Sequence, residues 1–149
     1  MRIVGICSGG GHLTELLMIM RHLPPCDAVL TEERAVARNA GCNMPLLPIC
    51  DPHRSPWNFL LNARQAVRYF IRLRPSVVVS TGAGMTVPFF LLGRIFGATC
   101  IFVETGARVS TPSMTGRLLY RLSHLFIVQN AELLQFYKKA VVASILPKS

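Results

Sequence analysis

One histidine stands where a glycine-rich turn meets a helix. The turn follows an apolar run at residues 3–7 and consists of Ser8, Gly9, Gly10, Gly11 and His12. Leucines at helical spacing come next, so the pattern predicts a strand, a turn and a helix. Glycines let a ligand approach the backbone, and the start of the helix offers free N–H groups and a positive dipole end that suit phosphate or carboxylate. We therefore expect His12 either to face a ligand as a proton acceptor or to be a solvated residue of a capping turn.

The spacing of this turn matches neither of the two common nucleotide-binding loops. A dinucleotide fingerprint requires Gly-x-Gly-x-x-Gly, and the position of its third glycine is taken by Thr14. A P-loop requires Gly-Lys-Ser/Thr, whereas Gly11 is followed by His12. The turn is therefore suited to an anion without being a signature of any one nucleotide.

A second glycine turn follows a β-branched run at residues 77–79, which is typical of a central parallel strand covered on both faces. The turn consists of Thr81, Gly82, Ala83 and Gly84. In a sheet of order 3-2-1-4-5 the first and fourth strands are neighbours, and the chain reverses direction between them. Both glycine turns are then expected to border the crevice in which open α/β sheets bind ligands.

The second side chain that could take part in catalysis is a carboxylate. Glu104 follows a predicted strand at residues 99–103, and doubly wound folds place their chemistry at the carboxyl ends of central strands. The alternative for Glu104 is a structural ion pair with Arg108 or Arg117.

Strands and helices alternate along the rest of the chain. Further strands are predicted at 28–31, 44–50 and 124–128, and helices at 32–40, 57–73, 113–123 and 131–137. This alternation predicts one doubly wound, Rossmann-like α/β domain with a parallel sheet over residues 1–149.

Two apolar stretches bear on contact with a membrane. Helix 57–73 is expected to place one set of apolar side chains on a single side: Phe59, Leu60, Ala63, Val67, Phe70 and Ile71. Its arginines at positions 64, 68 and 72 form a stripe that is either a solvated face or a contact for anionic headgroups. The stretch 85–103 is interrupted by proline, glycine and arginine, which favours a helix and then a strand over a membrane span, with Phe89 and Phe90 as aromatics that could reach a bilayer.

The composition combines positive charge with apolar character. The formal net charge is +9, the isoelectric point is near 10.1 and 51% of the residues are hydrophobic. The basic residues are dispersed and no nucleic-acid-binding motif is present, so a membrane surface is favoured over nucleic acid. The chain enters a strand at once, which predicts no signal peptide, and the five cysteines lack metal-ligand spacing and indicate a reducing cytoplasm.

Three separated segments resemble one protein family. They are Ser-Gly-Gly-Gly-His-Leu-Thr-Glu-Leu from Ser8, Ser-Thr-Gly-Ala-Gly from Ser80, and Glu-Thr-Gly-Ala-Arg-Val-Ser-Thr-Pro-Ser-Met-Thr-Gly-Arg from Glu104. The chain thereby resembles the asparagine-linked glycosylation fourteen-like family, with bacterial relatives of the PssD and CpsF type. The resemblance implies the acceptor-side half of a GT-B glycosyltransferase whose donor half is a separate small protein that binds a nucleotide sugar.

The resemblance also implies roles for particular residues. Residues 8–12 would form the loop between the two halves, His12 would be similar to the histidine of the glycine loop in the related peptidoglycan N-acetylglucosaminyltransferase, and residues 82–84 would lie on the acceptor-diphosphate side. Arg108, Arg117 and Arg121 would include ligands of that diphosphate, because guanidinium groups bind phosphate through paired hydrogen bonds. We expect no metal and no cofactor, since no Asp-x-Asp pair for a metal-bound sugar nucleotide occurs.

Three functions are compatible with these features. The first is a glycosyltransferase subunit, peripheral on the cytoplasmic membrane face, that binds a polyprenyl-diphosphate-linked sugar in polysaccharide or lipid-linked oligosaccharide synthesis, with His12 or Glu104 as the base. Six predicted strands end by residue 128, so the donor site is expected in a partner that contacts an apolar tail at residues 139–149. The second is a non-catalytic membrane scaffold for that partner. The third is a stand-alone nucleotide-binding protein, which is disfavoured because no acidic residue ends the second strand in a fingerprint context.

Overall fold

The structure is a computed structural model that describes residues 1–53 and 55–145. Within these residues the strands are β1 Ile3–Cys7, β2 Ala28–Thr31, β3 Leu46–Pro48, β4 Val77–Gly82, β5 Thr99–Val103, β6 Leu125–Val128 and β7 Val141–Val142. They form one parallel sheet in the order β3-β2-β1-β4-β5-β6-β7. The predicted neighbourhood of the first and fourth strands is confirmed, with Ile3 opposite Val77 and Ile6 opposite Ser80.

Helices connect successive strands. They are α1 Gly11–Met20, α2 Glu33–Arg38, α3 Pro56–Leu73, α4 Thr86–Phe96, α5 Met114–Leu119 and a 3₁₀ helix at Ala131–Gln135. Local signals fix several ends: the Ser55 hydroxyl accepts the Asn58 N–H at the start of α3, and Gly97 adopts a left-handed conformation after α4. The doubly wound, Rossmann-like α/β class predicted from the alternation is confirmed.

The sheet separates two apolar layers. One face packs against α3, α4 and α5 through aromatic residues such as Phe89, Phe90 and Phe102, none of which has measurable exposure. The other face packs against α1 through Leu13 and Leu16. A sheet covered on both faces explains why its central strands carry no polar alternation.

The cysteines of the described chain are all free. Burial raises the pKa of the Cys7 thiol to about 12 and that of Cys100 to about 11. Both therefore stay protonated and act as small packing groups, as the sequence predicts.

The residues predicted to form the buried side of α3 are mostly exposed, so this prediction is wrong for most of them. The buried positions are Asn62, Ala66 and Phe70, and Asn62 is fixed there because its amide donates to the Cys50 carbonyl at 2.8 Å. Most of the apolar residues assigned to the inner side are exposed instead, namely Phe59, Leu60, Val67 and Ile71. The helix carries a narrow buried face and a broad apolar outer face, which apolar spacing alone does not distinguish.

The stretch 85–103 does form a helix followed by a strand, as predicted. The expectation for its aromatics is wrong, because Phe89 and Phe90 face the sheet, whereas Leu91, Ile95 and Phe96 on the outer side of α4 are exposed. Across the described residues, α-helices that combine the length and apolar character needed to cross a bilayer do not occur.

The segment after the 3₁₀ helix adds a strand that the sequence pattern did not predict. β7 pairs with β6 through Ile127 opposite Val141 and Val128 opposite Val142, and the Ala143 N–H donates to the Val128 carbonyl at 3.0 Å. Two residues are too few to show a periodic pattern. Part of the segment predicted to contact a partner is therefore the edge of the sheet, and residues 146–149 of that segment lie outside the described residues.

Candidate functional site

A groove of about 680 Å³ opens at the carboxyl edge of the sheet. Its walls come from the first turns of α1, the loop after β5, the end of β6 and the segment after β7. The lining residues that matter for chemistry are Gly11, His12, Glu15, Thr105, Arg108 and Gln129. The structure thus brings together two residues that the sequence singled out at distant positions, His12 and Arg108.

His12 is held by the turn after β4. The Thr81 hydroxyl donates to the His12 carbonyl at 2.7 Å, and the imidazole lies against Gly82, where a β-carbon would be 3.1 Å from His12 Cε1. Gly82 also has a φ of 116°, which side chains rarely adopt. His12 Nδ1 is buried and has no hydrogen-bond partner within the described residues. The second glycine turn therefore forms the surface against which His12 packs.

The two glycine turns meet, as the strand order predicts. The Ser8 N–H donates to the Gly82 carbonyl at 3.1 Å. Ser8, Gly9, Ala83 and Gly84 are half-buried, and only Gly11 of the predicted glycines lies among the groove-lining residues. The sequence predicted the correct edge of the sheet, but most of these residues do not line the groove itself.

The start of α1 is free to meet an anion. Its N-cap is Gly10, with a φ of 70°, no side chain caps the helix, and its first turn holds no acidic residue. Arg108 lines the same groove from the opposite loop and is exposed. A helix start and a guanidinium group are both groups of the kind that bind phosphate, and here they lie on one groove.

Glu104 lies at the predicted position but does not face the groove. Its side chain is 1% exposed and four neutral groups donate to it: the N–H groups of Thr105 and Ser113, and the hydroxyls of Ser113 and Tyr137. Burial, with the Glu104 carboxylate beside it, raises the pKa of the Tyr137 hydroxyl, which keeps it a donor. The expectation that Glu104 is the base needs correction, because both of its oxygens already hold protein donors.

The alternative role for Glu104, an ion pair with Arg108 or Arg117, is not formed within the described residues. Arg117 lies on α5 and Arg121 follows that helix; both are exposed and neither lines the groove. Of the three arginines expected to bind diphosphate, the structure brings only Arg108 to the groove.

Glu15 is a groove residue that sequence reasoning missed. Its Oε1 accepts hydrogen bonds from the Thr105 hydroxyl, the Gly106 N–H and the Gln129 side-chain amide at 3.2, 2.9 and 3.3 Å. Its signal was present, because a residue three positions after His12 lies on the same face of a helix.

A second cavity of about 690 Å³ lies near the ends of β2 and β3. One ligand atom each from Glu32, Asp51 and His53 lies within 4.8 Å of the others, so the three side chains could hold a metal ion. Acidic groups at a protein surface often cluster in this way without binding a metal ion. The His53 backbone N–H donates to Asp51 Oδ1 at 3.0 Å, so the Asp51 side chain also closes a local turn.

Comparisons with known proteins place these features in context. The "UDP-N-acetylglucosamine transferase subunit ALG14" of Homo sapiens is 36% identical over 76 residues, which cover 47% of this chain and 35% of the human protein. The protein of the same name from Candida albicans is 25% identical over 166 aligned residues, covering 95% of this chain and 76% of that protein. The match therefore spans only about a third of the human relative.

The fold is also found in solved structures. MurG of Acinetobacter baumannii superposes with a TM-score of 0.80 at 18% identity, over 99% of this chain and 46% of that chain. The likeness confirms a Rossmann-like domain of the kind that forms part of a GT-B glycosyltransferase. The profile of the family described as "Oligosaccharide biosynthesis protein Alg14 like" matches residues 52–146, and the chain belongs to this Alg14-like family.

Proposed function

We propose that the chain is the acceptor-side subunit of a two-component glycosyltransferase and binds a polyprenyl-diphosphate-linked sugar. The observation that carries this proposal is the groove at the carboxyl edge of the sheet that both His12 and Arg108 line. The relatives named as transferase subunits support it, since a subunit works with another chain. By the same reasoning the donor, UDP-N-acetylglucosamine in the names of those relatives, is bound by the partner.

The acceptor's diphosphate binds between the start of α1 and Arg108. The free N–H groups of the first turn supply hydrogen bonds and the guanidinium supplies charge. Glu104 contributes indirectly: the N–H and hydroxyl of Ser113 donate to its carboxylate and so join the two ends of the loop that carries Arg108, and the Tyr137 hydroxyl helps to hold the carboxylate in place. We assign it a positioning role.

His12 is the base in this proposal. As the acceptor hydroxyl attacks the anomeric carbon of the donor sugar, its proton passes to the imidazole, the new glycosidic bond forms, and the bond to the nucleoside diphosphate breaks with inversion. A positioned base contributes about 10²- to 10⁴-fold to such a step. The imidazole packs against Gly82, which limits the motion of the ring and suits His12 to accept a proton in a defined position.

Attachment to the membrane is proposed to occur through an outer face of α3 and α4, which we call the apolar-basic face. It consists of the exposed apolar residues Trp57, Leu60, Val67, Ile71, Leu91, Ile95 and Phe96 together with Arg64, Arg68, Arg72 and Arg94. Phe70 and Phe96 join the two helices, with ring centroids 5.6 Å apart. Apolar side chains among arginines are typical of a helix that lies in the interface of an anionic membrane.

The experiment is a transferase assay with the chain and the donor-binding protein that co-purifies with it. We expect His12→Ala to lower kcat by about 10²- to 10⁴-fold while the complex still forms. His22→Ala is the matched control, because His22 is exposed just after α1 and outside the groove. Unchanged turnover of His12→Ala in an intact complex would favour the scaffold function instead.

A further inference from the structure

The carboxylate of Glu15 is locked in place at one oxygen and unused at the other. Oε1 holds three donors from two loops, the Thr105 hydroxyl, the Gly106 N–H and the Gln129 amide. Oε2 is buried and has no hydrogen-bond partner within the described residues. A carboxylate in this state is unfavourable, because a buried oxygen that has lost its water normally holds a donor.

The charge of Glu15 also lacks a partner of opposite sign. Its three donors are neutral groups, and no ion pair to Glu15 is formed in the part of the chain described. A ligand that donates a hydrogen bond would satisfy both the free oxygen and the charge.

The groove therefore holds side chains of both charges. Arg108 is its cationic side chain and Glu15 its anionic one, and both line the same space as His12. A sugar linked to a lipid by a diphosphate offers a partner to each, with anionic oxygens for the guanidinium and hydroxyl donors for the carboxylate. Resting on the acceptor-binding function proposed above, we infer that Glu15 Oε2 accepts a hydrogen bond from a hydroxyl of the acceptor sugar and so orients that sugar towards His12.

Access to Oε2 requires a small rearrangement, since the ligand-free structure covers it. The apolar part of the groove wall includes Met18, an unbranched side chain that is 37% exposed, and Ile145. Methionine adapts readily to a new shape, so entry of a sugar is expected to move this wall and leave the Oε1 bonds in place.

The test compares two probes on the isolated chain by titration calorimetry: farnesyl diphosphate, and farnesyl diphosphate linked to N-acetylglucosamine. The wild-type chain should bind the sugar-bearing probe more tightly. Glu15→Gln should weaken that probe by about 10- to 100-fold and change the affinity for farnesyl diphosphate by less than about threefold, because a charged hydrogen bond is lost only with the sugar. Arg108→Ala should weaken both probes.

Glu33→Gln is the matched control, since it removes the same charge from an exposed position on α2 and should change neither affinity. If Glu15→Gln does not fold, wild-type titrations with probes that lack one sugar hydroxyl each replace it, and one of them should lose a similar factor. Equal wild-type affinity for both probes, or an equal loss of both in Glu15→Gln, would overturn the role of Glu15 and leave the acceptor site standing. Binding of neither probe would overturn the proposed acceptor site and the role of Glu15 together.

Discussion

His12 depends on residues of a different loop for its position. The Thr81 hydroxyl holds its carbonyl and the face of Gly82 supports its ring, so the first turn of α1 and the end of β4 act as one unit. The two strands that lead into these turns pair directly along the centre of the sheet. His12 is therefore positioned by the centre of the sheet.

Gly116 tests the buried network around Glu104. A β-carbon at this position would clash with the Glu104 carboxylate and lie 2.7 Å from the Tyr137 hydroxyl. We expect Gly116→Ala to lower the free energy of unfolding by about 1–3 kcal/mol, which is typical of overpacking in a buried site. Urea unfolding followed by circular dichroism measures it.

Gly41→Ala is the control, because nothing lies within 4 Å of a β-carbon at Gly41. It should leave the stability within about 0.5 kcal/mol of the wild-type value. Equal stabilities of the two variants would contradict the tight packing of Glu104 against α5.

Sequence reasoning located the site better than it assigned its residues. His12 and Arg108 could be placed at one edge because parallel strands end together. The same rule placed Glu104 correctly but could not show that Ser113 and Tyr137 occupy its oxygens, since those contacts depend on tertiary packing. Glu15 was missed because its environment is supplied by Thr105 and Gln129, which are far away in the chain.

At the scale of elements, α3 shows where pattern analysis fails. Its bounds agree with the predicted range to within one residue, yet Asn62 and Ala66 face the core while Ile71 is 62% exposed. Apolar side chains were assumed to be buried, and a helix with an apolar outer face breaks that assumption. The apolar residues of α3 that were wrongly assigned to the core are the ones that make the apolar-basic face an unusual surface.

We expect the apolar-basic face to bind anionic vesicles. The double variant Ile71→Glu/Ile95→Glu should bind vesicles of anionic phosphatidylglycerol at least tenfold more weakly, because burying each such side chain contributes about 1.5–3 kcal/mol. Flotation of the chain with vesicles measures it. Salt should also weaken wild-type binding, since each arginine contributes about 1 kcal/mol that is screened.

Val141→Glu/Val142→Glu is the matched control, because it introduces the same two charges at exposed apolar residues on β7. Its vesicle binding should equal that of the wild type. An equal loss in both variants would mean that added negative charge, and not the apolar-basic face, governs binding.

In the whole molecule, the sheet ends in the short strand β7, whose outer edge pairs with no other strand among the described residues. Val141 and Val142 are 51% and 45% exposed, and the segment after them reaches the groove through Ile145. Such an edge can accept another chain, so we expect Val141→Glu to reduce co-purification of the donor-binding partner, measured by quantitative pull-down. The double variant in α3 and α4 should retain the partner, and a full yield with Val141→Glu would exclude β7 from the interface.

We propose that this chain supplies the acceptor site and that a partner supplies the donor site. Transfer of labelled N-acetylglucosamine from its UDP-linked form to a lipid-linked sugar is measured with the chain alone, the partner alone and the two combined. We expect product only in the combined sample, and at least a 10²-fold loss of product with His12→Ala. Product from either chain alone would rule out this division of the two sites, and full activity of the combined sample with His12→Ala would rule out His12 as the base.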